Sequence, residues 1–123
     1  MTSSRSLAVF GALNGAVAVV IGAFAAHGVD ASAEALLKTA GQYQMVHALL
    51  GVTCAIWPGT TGLARIAGWL AVLGGLVFAA ALTLIALLDL TIMGAVAPVG
   101  GLLMISGWLT LAVAAVRSRT VNT

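Results

Sequence analysis

The chain reads as an all-α integral membrane protein. It is expected to be a four-helix bundle with both termini in the cytoplasm and a short interfacial helix between the first two spans. Three observations predict this. First, 62% of its 123 residues are hydrophobic and only 7% are charged, whereas a soluble domain carries about 25% charged residues. With a mean hydropathy of +1.17, the chain needs lipid as its solvent. Second, apolar runs of spanning length recur four times. Third, the basic residues fall on alternate connections: Arg5, Arg65, Arg117 and Arg119 on one side, Lys38 alone on the other. That bias puts both ends and the middle loop in the cytoplasm.

The first span is Leu7 to Ala26. Its roughly 30 Å of helix crosses the hydrocarbon. Arg5 before it and Ala23-Phe24-Ala25 near its end resemble a cleavable signal. The run is longer than the about 7–15 residues of a signal core, so a retained span is expected. Gly28-Val29-Asp30 breaks it. Residues 30–38 place Glu34 and Lys38 at i,i+4 and read as the interfacial helix. Thr39 and Gln42 have capping-box spacing and start the second span, 40–57, which Pro58-Gly59 ends. The third span is 66–88, closed by Asp89. An apolar crossing, Leu90 to Ala97, leads to the fourth, 98–116, with Pro98 in its first turn.

Burial alone does not associate helices in lipid; close backbone approach does. Gly11, Gly15, Ala18, Gly22 and Ala26 draw one small-residue stripe along the first span. Gly68, Gly74, Gly75, Gly100, Gly101 and Gly107 extend that packing to the later spans. Asn14 is expected to bond across helices. Trp57 and Trp69 flank the middle loop as interface-seeking indoles. Trp108 lies about 15 Å into the last span, so its N–H needs a partner on another helix. Cys54, the one cysteine, reads as a packing residue.

His27 ends the first span and His47 lies two turns into the second, so this reading gathers His27, His47, Tyr43, Gln44 and Asp89 at the extracytoplasmic rim. Gln42, Asp30 and Glu34 join them there. Two histidines beside carboxylates could hold a metal ion, relay protons or bond a quinone, with His27 and His47 the candidate metal ligands. The structural alternative has His47 capping a carbonyl or positioning Tyr43, and it is preferred. No metal-ligand spacing, nucleotide loop or catalytic serine motif occurs, so no cofactor and no catalysis are expected. The pI near 9.3 rests on five bases against three acids, which is a topology signal rather than a nucleic-acid surface. Membrane lipids, and a homo-oligomer or larger membrane complex, are the expected partners. A small-solute or lipid carrier is a further alternative and would require oligomerisation.

Gly22-Ala23-Phe24-Ala25-Ala26-His27, Tyr43-Gln44-Met45-Val46-His47-Ala48-Leu49, Ala97-Pro98-Val99-Gly100-Gly101 and Gly107-Trp108-Leu109 resemble the small YgdD/YwdK-like bacterial membrane proteins, grouped as domain of unknown function 423. The resemblance covers nearly the whole chain. It implies a four-helix protein of the bacterial plasma membrane and supplies no activity. The family's motif histidines correspond to His27 and His47, its tyrosine to Tyr43, and its Pro-Gly-Gly turn to Pro98, Gly100 and Gly101. The chain departs from the family in the third span, where Phe78-Ala79-Ala80-Ala81-Leu82-Thr83-Leu84 keeps only Thr83 as a polar residue.

Overall fold

The computed structural model describes residues 3–58 and 62–118. Within them the chain forms four long helices and no strand: α1 Ser3–Ala26, α2 Ala31–Ala55, α3 Gly62–Leu88 and α4 Ala97–Arg117. A 3-10 turn, Thr91–Ala95, links the last two. Arg119 and Gly59 lie outside the described residues, so the positions assigned to them above have no structural counterpart.

The polar segment after the first span is not a separate interfacial helix, and the second span does not start at Ala40. Both belong to the single helix α2. Nothing between Ser32 and Ala40 breaks a helix, and Thr39 and Gln42 sit in its interior. The true cap is Asp30, whose Oδ1 accepts the Ala33 N–H at 2.9 Å and the Ser32 hydroxyl at 3.0 Å. Those two bonds hold the exposed Asp30 carboxyl below its ordinary range. Because the folded pKa is lowered, the cap stabilises fully above the unfolded value, near 4, and weakens as pH falls through the folded one. Asp30→Ala is therefore expected to lower the unfolding midpoint at pH 7, with the gap to the parent closing in acid. A gap independent of pH would show that the carboxylate is not the cap.

At the other end of α3, Asp89 adopts a left-handed conformation, φ 56°. Its N–H bonds the Ile85 carbonyl at 3.0 Å and that of Leu90 bonds Leu84 at 3.3 Å. Aspartate is among the few residues that tolerate this region. α3 itself starts at Gly62 rather than Ile66, which places Arg65 inside its first turn. Pro98 occupies the first turn of α4 as expected.

Successive helices run antiparallel. A Cβ added to Gly11 would lie 3.0 Å from Val52, and one on Gly41 3.2 Å from the Ala18 carbonyl oxygen, which sets α1 against α2. Gly68 meets Cys54 at 2.8 Å, Gly75 meets the His47 Cβ at 3.1 Å, and Gly51 faces Val72, which sets α2 against α3. Gly74 and Gly100 meet backbone to backbone: a Cβ on either would lie 2.8 Å from the other's carbonyl oxygen. Gly107 closes against Ala67 at 3.0 Å. The small-residue logic holds for Gly11, Gly100 and Gly107. Gly15 makes only ordinary contact, with Ala48 at 3.9 Å, and a side chain on Gly22 would meet nothing. Gly101 is likewise open, so its expected packing role is not found; one residue along a helix is about 100° around it, and Gly100 takes the inward position. Gly41 and Gly51 carry packing that the sequence reading did not assign.

The helices thus form a bent row, with α2 and α3 inside and α1 and α4 outside. Three of the helical segments are long and apolar enough to cross a membrane: Ser4–Ala26, Gly62–Leu88 and Thr91–Arg117. α2 is polar for a span because it carries Lys38, Gln42, Gln44 and His47. It nevertheless runs along both α1 and α3, and it turns Gln44 and His47 inward. The apolar core of Leu7, Leu50, Cys54, Ala67, Ala71 and Val72 lies toward the end where α1 begins and α4 finishes. Phe10 and Trp69 pack on it with ring centroids 5.7 Å apart.

Candidate functional site

The polar side chains of the membrane interior collect halfway along the helices. Asn14 is 5%, Gln44 1% and His47 4% exposed. The Asn14 amide donates to the Phe10 carbonyl, four residues back, at 3.0 Å. A carbonyl only accepts, so this bond turns the Asn14 oxygen toward α2, where Gln44 Nε2 donates to it at 2.9 Å. The expected interhelical bond of Asn14 therefore exists, and Gln44 is its partner. Gln44 Oε1 is left buried with no partner.

His47 makes a second link. Its Nε2 lies 3.0 Å from the Trp108 indole N–H, and its Nδ1 lies 2.7 Å from the Tyr43 carbonyl. Indole only donates and a carbonyl only accepts, so the partners assign the tautomer: Nδ1 carries the proton and Nε2 presents a lone pair. His47 reaches Trp108 across α3 because Gly75 has no side chain beneath it. Trp108 thus finds the partner that its depth requires. The Tyr43 ring stacks on His47, 6.3 Å away and within 6° of parallel, and tilts against Phe78 at 5.1 Å. A cavity of about 400 Å³ opens beside these rings, toward Gly101 and Met104.

His27 is not part of this arrangement. It lies exposed at the far end of α1, whereas Ala48, next to His47, packs at the level of Gly15. Twelve residues separate Gly15 from His27, roughly 18 Å of helix. The rim cluster expected from the sequence is therefore split. His27, Asp30, Glu34 and Asp89 stay at the far end, while Gln44 and His47 lie well inside. The reason is the continuous α2: counted from Ala31, His47 lies sixteen residues in, roughly 24 Å from the helix start. Among the described residues no three His, Cys, Asp or Glu side chains approach closely enough to hold a metal. His47, with both nitrogens bonded, is unsuited as a ligand while Trp108 holds it. At the rim, Asp30 and Asp89 border a cleft of about 340 Å³ with Ser32 and Leu87.

Sequence reasoning placed Asn14 and Trp108 as groups in need of partners but did not name Gln44 and His47 as those partners. It treated Thr83 only as a leftover. Thr83 Oγ1 is buried and unbonded, as is the Trp57 indole N–H.

A family model described as a protein of unknown function, DUF423, matches residues 21–101. A UPF0382 membrane protein of Staphylococcus epidermidis is 38% identical over 114 residues, covering 89% of this chain and 93% of the relative. Another, from Staphylococcus saprophyticus, is 39% identical over 110 residues, covering 85% and 92%. The UPF0382 membrane protein YwdK of Bacillus subtilis is 34% identical over 116 residues, covering 89% and 94%. No solved structure matches the chain.

Proposed function

The chain belongs to the DUF423 family of small multi-pass membrane proteins, and on that premise we propose that it is a non-enzymatic accessory or assembly element of the bacterial plasma membrane. One observation carries the reading. The polar groups of the membrane interior serve mainly to hold helices together: Asn14 to Gln44, and His47 to Trp108. The faces that the two outer helices leave for other molecules are apolar. α1 presents Leu13, Val20 and Phe24, and α4 presents Leu102, Leu109 and Val116, each more than half exposed. Outward apolar faces at the two ends of a helix row suit lipid or further helices, whether of a second copy or of a larger complex. Histidine-held metal has less support, since His27 and His47 stand at different depths.

The test is mass measurement of the protein extracted with its surrounding lipid. A homo-oligomer or a defined heteromeric complex is expected; a strict monomer would remove both the assembly reading and the carrier alternative. The plasma-membrane orientation has its own test. In a Cys54→Ala background, cysteines at Gly62 and Ser32 should react from opposite sides, Gly62 from the cytoplasm. Same-side labelling would overturn the topology.

A further inference from the structure

We infer that the crevice between α1 and α3 is an intramembrane binding site for a neutral, hydroxyl-bearing hydrocarbon, a long-chain alcohol in chemical class. α1 and α3 touch near the start of α1, where Phe10 meets Trp69 and Leu7 meets Gly68. Farther along, a crevice of about 350 Å³ opens between them, bounded by Val17 and Ile21 of α1 and by Ala79, Ala80 and Thr83 of α3. Gln44 of α2 borders the same crevice. The volume lies within the about 300–1,000 Å³ usual for small-molecule sites.

Two oxygens give the crevice its chemistry. Gln44 is 1% exposed, and its Oε1 has no hydrogen-bond partner. The amide cannot simply be turned over, because the Phe10 carbonyl orients Asn14 and Asn14 in turn orients Gln44. What remains is an acceptor with two free lone pairs on a side chain buried among the helices. Thr83 Oγ1, on the α3 wall, is also buried and unbonded, although a helical threonine commonly bonds the carbonyl four residues back. An orphaned buried polar group destabilises the fold, so a bound donor would be rewarded. Gln44 needs a donor, and Thr83 can either give or accept a proton. A hydroxyl has the donor that Gln44 Oε1 lacks and can also bond Thr83, whereas a carbonyl or an ether can engage only Thr83. No charged residue borders the crevice, so an ionised headgroup would stand unpaired in hydrocarbon. The apolar walls and the shielded oxygens describe a ligand that is mostly chain and enters by displacing side chains at the mouth.

This inference goes beyond the assembly reading, and the two fail separately: a monomer could still bind, and an oligomer could fail to. The experiment uses the full chain in phosphatidylcholine nanodiscs with hexadecanol carrying a diazirine on its alkyl chain. Photolabelling is expected on α1 around residues 17–21 and on α3 around residues 79–84. Unmodified hexadecanol should compete, and hexadecyl methyl ether, which can engage only Thr83, should compete more weakly. Thr83→Val keeps the side-chain shape and should weaken competition about 3- to 10-fold, the equivalent of one intramembrane hydrogen bond. Gln44→Met should weaken it as much or more, and Ala80→Phe should block labelling by filling the mouth. Labelling spread evenly over the lipid-facing helices would overturn the site. Equal competition by the ether, or parental binding by Thr83→Val, would also overturn it.

Discussion

Gly100→Val is expected to destabilise the protein by about 1–3 kcal/mol, while Gly101→Val, one residue along, changes stability by no more than about 0.5 kcal/mol. The contrast follows from backbone geometry. A Cβ on Gly100 would lie 2.5 Å from the Phe78 nitrogen and 2.8 Å from the Gly74 carbonyl oxygen. Those are backbone atoms, and they cannot swing aside as the tip of a side chain can. The two helices would have to separate, losing close contact along α3 and α4. A Cβ at Gly101 would meet nothing within 4 Å. Reversible unfolding in lipid bicelles measures both. Gly74→Val should behave like Gly100→Val, since the two glycines face each other. Equal tolerance at 100 and 101 would mean that α3 and α4 do not cross there.

Replacing His47 by leucine is expected to cost about 1–3 kcal/mol, because the Trp108 N–H then points into hydrocarbon with nothing to accept it. Trp108→Phe should cost a similar amount through the orphaned Nε2. The double variant should be less damaged than the sum of the two, with a coupling of about 0.6 kcal/mol and at most about 1.7 kcal/mol, the average and maximum for hydrogen bonds between membrane helices. Additive losses would show that the 3.0 Å contact between Trp108 and His47 contributes nothing as a pair. His27→Ala, at the exposed end of α1, should leave stability nearly unchanged.

The parts of this fold legible in the sequence are those fixed by the solvent. Apolar runs of spanning length, the glycines spaced along them and the need of Asn14 and Trp108 for partners all follow from placing a chain in hydrocarbon. Helix boundaries were less legible where polar residues entered a long helix. Thr39 and Gln42 look like a helix start, but nothing before them ends a helix, so α2 runs on from Asp30. That one boundary decides the candidate site. A span beginning at Ala40 carries His47 to the rim beside His27; a helix beginning at Ala31 leaves it deep inside, within reach of Trp108. Facing was also hidden. Nothing in the order Gly100-Gly101 says which of the two turns toward α3, because that depends on the phase of α4 relative to its neighbour. The partnership of Gln44 with Asn14 depends likewise on how α1 and α2 slide past each other, which the Gly11 and Gly41 contacts set.

The claim on which the rest stands is that the interior histidine is spent on holding helices together. The ¹⁵N spectrum of the His47 imidazole, recorded in lipid bilayers at neutral pH, tests it most directly. A proton on Nδ1, a bare Nε2, and magnetisation transfer from the Trp108 indole N–H to that nitrogen are the expected result. A proton on Nε2, an imidazolium or a metal-shifted resonance would contradict it, for none of these leaves a lone pair for Trp108.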